Sequence, residues 1–152
     1  MNTSETGDMN NNFTLYETHS PEETWQLAFH LGETAKAGQV WTLNGDLGVG
    51  KTVFAQGFAA GLGVDDIVNS PTFTIVQQYE GRLPLYHFDV YRIEDPEEME
   101  EIGWRDCFFG EGVCLIEWAE QIEELLPEER IDVWIRKDPG KGFSYRTVGI
   151  QT

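Results

Sequence analysis

Gly45-Asp46-Leu47-Gly48-Val49-Gly50-Lys51-Thr52 reads G-x-x-x-x-G-K-T, a spacing that builds a cradle for phosphate groups. Gly45, Gly48 and Gly50 allow the backbone to turn left-handed and to approach an anion closely. Lys51 would carry a point charge to the β- and γ-phosphates of a nucleotide, and Thr52 would offer its hydroxyl to Mg²⁺. The predicted nucleotide-binding run is therefore Gly45, Asp46, Leu47, Gly48, Val49, Gly50, Lys51, Thr52 and the next residue, Val53. A Gly-rich turn that happens to precede a lysine is the plain alternative. The flanks speak against it: Val40-Trp41-Thr42-Leu43 is a short apolar, β-prone run, and Thr52 to Ala60 suits a helix. Strand, Gly-rich turn and helix is the context the motif needs, with loop N–H groups and the positive helix end facing the anion.

A carboxylate is the second requirement of such chemistry. Val113-Cys114-Leu115-Ile116 is an unbroken apolar run ending in Glu117, as in a buried central strand of a parallel sheet. An acid at that place beside a P-loop organises Mg²⁺, directly or through water. Asp89 stands at or near the end of another predicted strand, Leu83 to Val90. Alternation there puts Leu85, His87 and Asp89 on one face and Tyr86, Phe88 and Val90 on the other. By composition alone Asp89 is equally a solvent-facing residue at a strand end. Either Asp89 or Glu117 could orient an attacking water.

The elements that must hold these groups are readable in order. Residues 1–12 are polar and read as a disordered tail, leaving 13–152 as one domain. Phe13 to Tyr16 predicts a first strand. Ser20, Pro21 and Glu23 announce a helix with an N-cap and a capping box. On it Trp25, Ala28, Leu31 and Ala35 recur on a face suited to packing on the sheet, and Gly38 is the stop. His30 receives no role. Gly57 and Gly61 weaken the helix after the P-loop, and tight packing on the sheet would account for them. Asn69 to Thr72 is a turn, Thr72 to Tyr79 a strand, and Glu80-Gly81-Arg82 the turn of a hairpin. Glu94 to Glu101 is an acidic run that opens a helix. Ala119 to Leu126 suits a helix, and Ile131–Ile135 with Phe143–Ile150 suits a second hairpin, expected at the sheet edge.

Composition narrows the function classes. At 152 residues with 40% hydrophobic and 12% aromatic content, the chain has enough apolar surface for one core. Ten Lys+Arg against 27 Asp+Glu give a net charge of −17. That balance disfavours gripping nucleic acid or an anionic membrane unaided, and suits docking on a more basic protein. Cys107 and Cys114 have neither disulfide-framework nor zinc spacing, so reduced thiols in a cytoplasmic protein are expected. No apolar run approaches the ~18–20 residues of a membrane span.

Taken together, Leu43 to Thr52, Asn69-Ser70-Pro71-Thr72-Phe73-Thr74, His87-Phe88-Asp89-Val90-Tyr91-Arg92 and Leu115-Ile116-Glu117-Trp118 resemble one family in order and spacing. It is the TsaE (YjeE) family, the P-loop ATPase subunit of bacterial tRNA threonylcarbamoyladenosine (t6A) biosynthesis. The S-P-T-F-T and H-F-D-x-Y-R elements make the match specific. The resemblance implies an α/β fold, a P-loop NTPase-type mixed sheet flanked by helices with antiparallel hairpins, and the cofactors ATP and Mg²⁺. It carries Lys51 and Thr52 over as phosphate and Mg²⁺ ligands, Glu117 as the acid near Mg²⁺, and Trp118 as its neighbour in the site. Asp89 matches an acid needed for activity, and Ser70 and Thr72 a switch-like loop near the γ-phosphate. Ala119 stands where the family often has Pro. The implied partners are a carbamoyltransferase subunit (TsaD-like) and its paralogue (TsaB-like), which modify adenosine 37 of tRNAs.

A small-molecule kinase on the same scaffold is a competing reading, although the chain shows no Arg-rich lid. A nucleotide-gated binding module, in which hydrolysis only times association, is another. No Asn-Lys-x-Asp element supports a GTPase. Arg82, Arg92 and Arg105 are possible charge stabilisers, and none has the mark of an arginine finger.

Overall fold

The computed structural model describes residues 3–5, by their backbone, and 12–152 apart from Leu47, Ser70, Thr72 and Phe73. Its centre is the strand that launches the P-loop. Strand β3 (Val40–Asn44) pairs in parallel with β6 (Val113–Glu117) on one side and β7 (Ile131–Lys137) on the other. Strand β5 (Leu85–Asp89) extends the parallel set beyond β6, and β4 (Val76–Tyr79) closes that edge as the antiparallel arm of the expected hairpin. All of β6 is buried, as its unbroken apolar run requires when helices or loops cover both sheet faces.

The other edge departs from expectation. Strand β8 (Arg146–Gln151) does form a hairpin with β7, but β2 (Phe13–Thr18) pairs antiparallel outside it. The hairpin is therefore interior, because the first predicted strand covers it. The backbone of Thr3–Glu5 adds a further edge strand, β1, against Thr14–Tyr16. A wholly disordered tail did not provide for it, and the rest of 1–11 lies outside the described residues. The sheet order is β1-β2-β8-β7-β3-β6-β5-β4.

Helix α1 (Pro21–Thr34) starts as predicted, with Ser20 Oγ accepting from Glu23 N at 3.1 Å. The Glu23 carboxylate instead accepts the N–H of His19 at 2.8 Å, one residue ahead of the reciprocal capping-box partner. The buried face is Thr24, Leu27, Ala28 and Gly32, and it packs chiefly on helix α2 (Lys51–Gly61) rather than on the sheet. Glycines make that approach possible. A Cβ at Gly57 would lie 2.3 Å from Trp25 O, one at Gly61 2.1 Å from Phe29 O, and one at Gly32 2.2 Å from Phe58 O. The α2 glycines thus serve the helix–helix contact, a correction to the expected sheet contact.

Two apolar clusters lie on opposite sheet faces. One gathers Phe54, Phe58 and Leu62 against Leu43, Leu85, Leu115 and Val133. The other packs Phe88, Met99, Phe108 and Ile116, beneath connections that include helix α3 (Trp104–Phe108). The acidic run is a 3-10 segment, Pro96–Ile102, opened by a capping box between Asp95 and Glu98. Ala119–Leu125 is also 3-10, broken at Ile122 (φ −128°, ψ 30°). Among the described residues no helix is long and apolar enough to cross a membrane.

Candidate functional site

The site begins where β3 runs out. Asn44 Nδ2 donates to Thr42 Oγ1 (2.9 Å) and to Val133 O (3.0 Å), tying the strand end to β7. Gly45 follows with φ 150°, and a Cβ there would lie 2.6 Å from Ile135 O. Only glycine fits so close to the neighbouring strand. Gly48 (φ 78°) and Gly50 (φ 109°) are also left-handed, and Gly50 opens α2 with no side-chain cap. The first N–H groups of α2 thus receive no side-chain cap, unlike those of α1, and a helix start of this kind is an anion site.

Arg146 secures the loop from β8, donating from Nε to Val49 O at 2.8 Å while its Nη1 donates to both Phe143 O and Tyr145 O. Val53 and Gly48–Gly50 line a cleft of about 270 Å³ with Phe143 and Arg146, on the side of α1. On the β7 side, Gly45, Asp46 and Val49 line a groove of about 550 Å³ with Trp134, Arg136 and Lys137. Thr52 is exposed at the helix start, and Lys51 is buried.

The second half of the site stands on β5 and β6. Glu117 is register partner of both Leu43, just before the loop, and Asp89. The parallel ladder thus aligns the P-loop strand end and two carboxylates in one row. Glu117 is 4% exposed, and its Oε2 lies 2.8 Å from Nε2 of the buried His87. Asp89 is half-buried and accepts from Tyr91 N at 3.1 Å. Trp118 has φ 63° and ψ 36°, and among the described residues no other non-glycine has positive φ. That strained turn lays its ring beneath Lys51, with Nζ 4.3 Å from the ring centroid, and 4.8 Å from the Tyr91 ring.

The structure thus brings together Lys51, Trp118, Asp89, Glu117 and the loop from Gly45, Asp46, Gly48, Val49 and Gly50 to Thr52 and Val53. Leu47, Ser70 and Thr72 lie outside the described residues. Of the arginines weighed as charge stabilisers, Arg82 donates to the carbonyls of Gly32, Glu33 and Ala35 at the end of α1. Arg105 is held by Glu100 and stacks on Trp104. Neither is available to the loop, whereas Arg92 is exposed. Sequence reasoning gave no role to His87 or Arg146. His87 was signalled, because alternation put it on the Asp89 face, whereas nothing in the sequence pointed Arg146 at Val49.

The residues present suit a nucleotide with Mg²⁺. Among the described residues no group of three or more His, Cys, Asp or Glu could hold a metal alone. Mg²⁺ commonly needs only one or two protein oxygens beside substrate phosphates, and Thr52 and Glu117 would supply them.

The sequence matches, over residues 18–146, the family model described as Threonylcarbamoyl adenosine biosynthesis protein TsaE. The chain belongs to the TsaE family. The Bacillus subtilis tRNA threonylcarbamoyladenosine biosynthesis protein TsaE is 52% identical over 137 residues, covering 88% of this chain and 85% of that one. Its Treponema pallidum namesake is 41% identical over 119 residues, covering 78% and 88%. The crystal structure of Bacillus subtilis YdiB superposes with a TM-score of 0.77 at 42% identity, over 93% of this chain and 86% of that one. The TsaE match spans β3, α2, β5 and β6, so the aligned row of loop, Asp89 and Glu117 falls inside it.

Proposed function

We propose that this TsaE-family chain binds ATP with Mg²⁺ at the Gly45–Thr52 loop and hydrolyses it to support threonylcarbamoyl transfer to tRNA in the cytoplasm. The TsaE membership ties the chain to threonylcarbamoyladenosine biosynthesis. The observation that carries the ATP reading is the register Leu43–Glu117–Asp89, which sets two carboxylates beside the loop. Loop amides and the uncapped start of α2 would hold the phosphates. Lys51 would leave the Trp118 ring for the γ-phosphate and stabilise charge there as the bond to the leaving ADP breaks. Asp89 or Glu117 would orient the attacking water. When bound, Mg²⁺ would neutralise charge on the β- and γ-oxygens, with Thr52 and Glu117 as its protein contacts.

Partners fit the same picture. With a net charge of −17, the chain suits a protein surface better than tRNA itself. The partners would be a TsaD-like carbamoyltransferase and its TsaB-like paralogue. Arg82 and Arg105 are engaged elsewhere and Arg92 is exposed, so a charge-stabilising group from Arg92 or from a partner would speed hydrolysis. The test is Mg²⁺-dependent release of phosphate from ATP, alone and with the pair. A slow rate that rises strongly with the pair is expected. A fast rate indifferent to the pair, or phosphate moved to a metabolite, would overturn it.

A further inference from the structure

His87 is 1% exposed, in the middle of β5. Its register partners are Gln77 on β4 and Leu115 on β6. It shares a sheet face with Leu85, which packs in the apolar cluster under α2, so an aliphatic side chain would suit the position. Instead an imidazole stands there with one nitrogen satisfied. Nε2 meets Glu117 Oε2 at 2.8 Å, while Nδ1 is buried with no hydrogen-bond partner among the described residues.

An unpartnered buried polar atom is unfavourable, and apolar packing would avoid it. The Nε2 contact is therefore what the position provides. An ionised carboxylate can only accept, so this contact calls for an N–H on Nε2, and the neutral ring that provides it leaves Nδ1 as a bare acceptor instead of a buried N–H. The register explains the reach. His87 lies one pleat before Asp89, and Asp89 is the register partner of Glu117. The ring thus approaches the carboxylate diagonally from the core side and fixes Oε2. Glu117 is nearly as buried as His87, and a carboxylate so placed keeps a defined direction only when a donor holds it.

We propose that His87 is a positioning residue, which orients Glu117 through Nε2–H for its work beside the P-loop. The proposal rests on the ATP and Mg²⁺ reading above. The experiment compares the native chain with His87→Leu and His87→Gln, since Gln reaches a similar point with an N–H donor. Affinity for ATP is measured with Mg²⁺ and with EDTA, together with kcat and KM for hydrolysis. Long-range ¹⁵N–¹H spectra of the native chain, without nucleotide, report the ring tautomer.

His87→Leu should lose about tenfold or more of the Mg²⁺-dependent gain in ATP affinity and tenfold to a hundredfold in kcat. Its affinity in EDTA should stay within about twofold of native, since the P-loop contacts are intact. His87→Gln should recover most of both losses. The spectrum should show Nε2 protonated, with a shift in Glu117→Gln. A His87→Leu chain with native Mg²⁺ dependence and rate, a His87→Gln chain as impaired as His87→Leu, or a ring protonated on Nδ1 and bare at Nε2 would each overturn the proposal. If the native chain itself gains nothing from Mg²⁺, the ATP reading fails. The tautomer then decides separately whether His87 holds Glu117.

Discussion

The ammonium of Lys51 stands 4.3 Å from the centroid of the Trp118 ring, so in this structure the P-loop lysine rests on an aromatic face. Trp118 reaches that place because its backbone is left-handed at φ 63°. Such a cation–aromatic contact is worth ~0.5–2 kcal/mol depending on desolvation, which phosphate oxygens would readily outbid. Adding ATP and Mg²⁺ should therefore change the tryptophan fluorescence, and Trp118→Phe should lose most of the change although four other tryptophans remain. A signal undiminished in Trp118→Phe would show that Lys51 does not leave the ring.

Lys51→Ala should reduce hydrolysis by about a hundredfold or more, as loss of a transition-state charge stabiliser does. Its melting temperature should drop only slightly, because the P-loop glycines and the Arg146 contact to Val49 persist. Steady-state kinetics beside a thermal melt would separate the effects. Native turnover in this variant would remove Lys51 from the mechanism.

Gly61→Ala reverses the usual helix rule. In an open helix alanine is favoured by ~1 kcal/mol. Here the new methyl would lie 2.1 Å from Phe29 O and 3.0 Å from Gly32 Cα, so the helices must part. Urea unfolding should show a loss of about 1–3 kcal/mol. A stabilised Gly61→Ala would mean that α1 and α2 are not so closely seated.

Cys114 carries a pH prediction. Burial, and then the neighbouring Cys107, push its thiol far above the ordinary range. The folded state keeps the proton while the unfolded state loses it above ~8.5. The stability contribution is therefore complete below that pH and drains away as pH rises toward the folded value. Between pH ~8.5 and ~9.5 the loss should approach about 1 kcal/mol, and Cys114→Ala should flatten that slope. The same burial should leave Cys114 inert to Ellman's reagent until the chain unfolds. Rapid labelling of the native state would contradict it.

Arg82→Ala should destabilise by about 1–2 kcal/mol, since one guanidinium nitrogen serves Gly32 O, Glu33 O and Ala35 O. Hydrolysis should be unaffected, because Arg82 caps α1 and does not reach the loop. A fall in kcat at unchanged stability would return Arg82 to the site.

How much was legible follows the range of the signal. The P-loop, its strand and its helix were readable because their residues are contiguous and chemically constrained. Glu117 was readable because a fully buried strand leaves an unbroken apolar run before it. The glycines of α2 were visible, but their partner was not. An interhelical approach depends on which face of α1 arrives, and Trp25 O and Phe29 O carry no side-chain signature. The interior place of the last hairpin was hidden for the same reason, since β2 pairs with β8 through main-chain groups that any sequence offers. His87 lay between these cases. Its face was predictable, but its partner sits on a different strand and thirty positions away.

The pairing of β2 with β8, from Phe13↔Gln151 to Thr18↔Arg146, also sets an order of assembly. Strand β2 leaves the ribosome long before its partner and waits with an unsatisfied edge while the P-loop, the hairpin and β6 are made. Closing so long a loop is entropically slow, so the early strand is the segment most open to mispairing during synthesis. The nucleotide loop shares in that delay, because Arg146, the first residue of β8, is what holds Val49. The cradle is thus anchored only once this closing strand is in place.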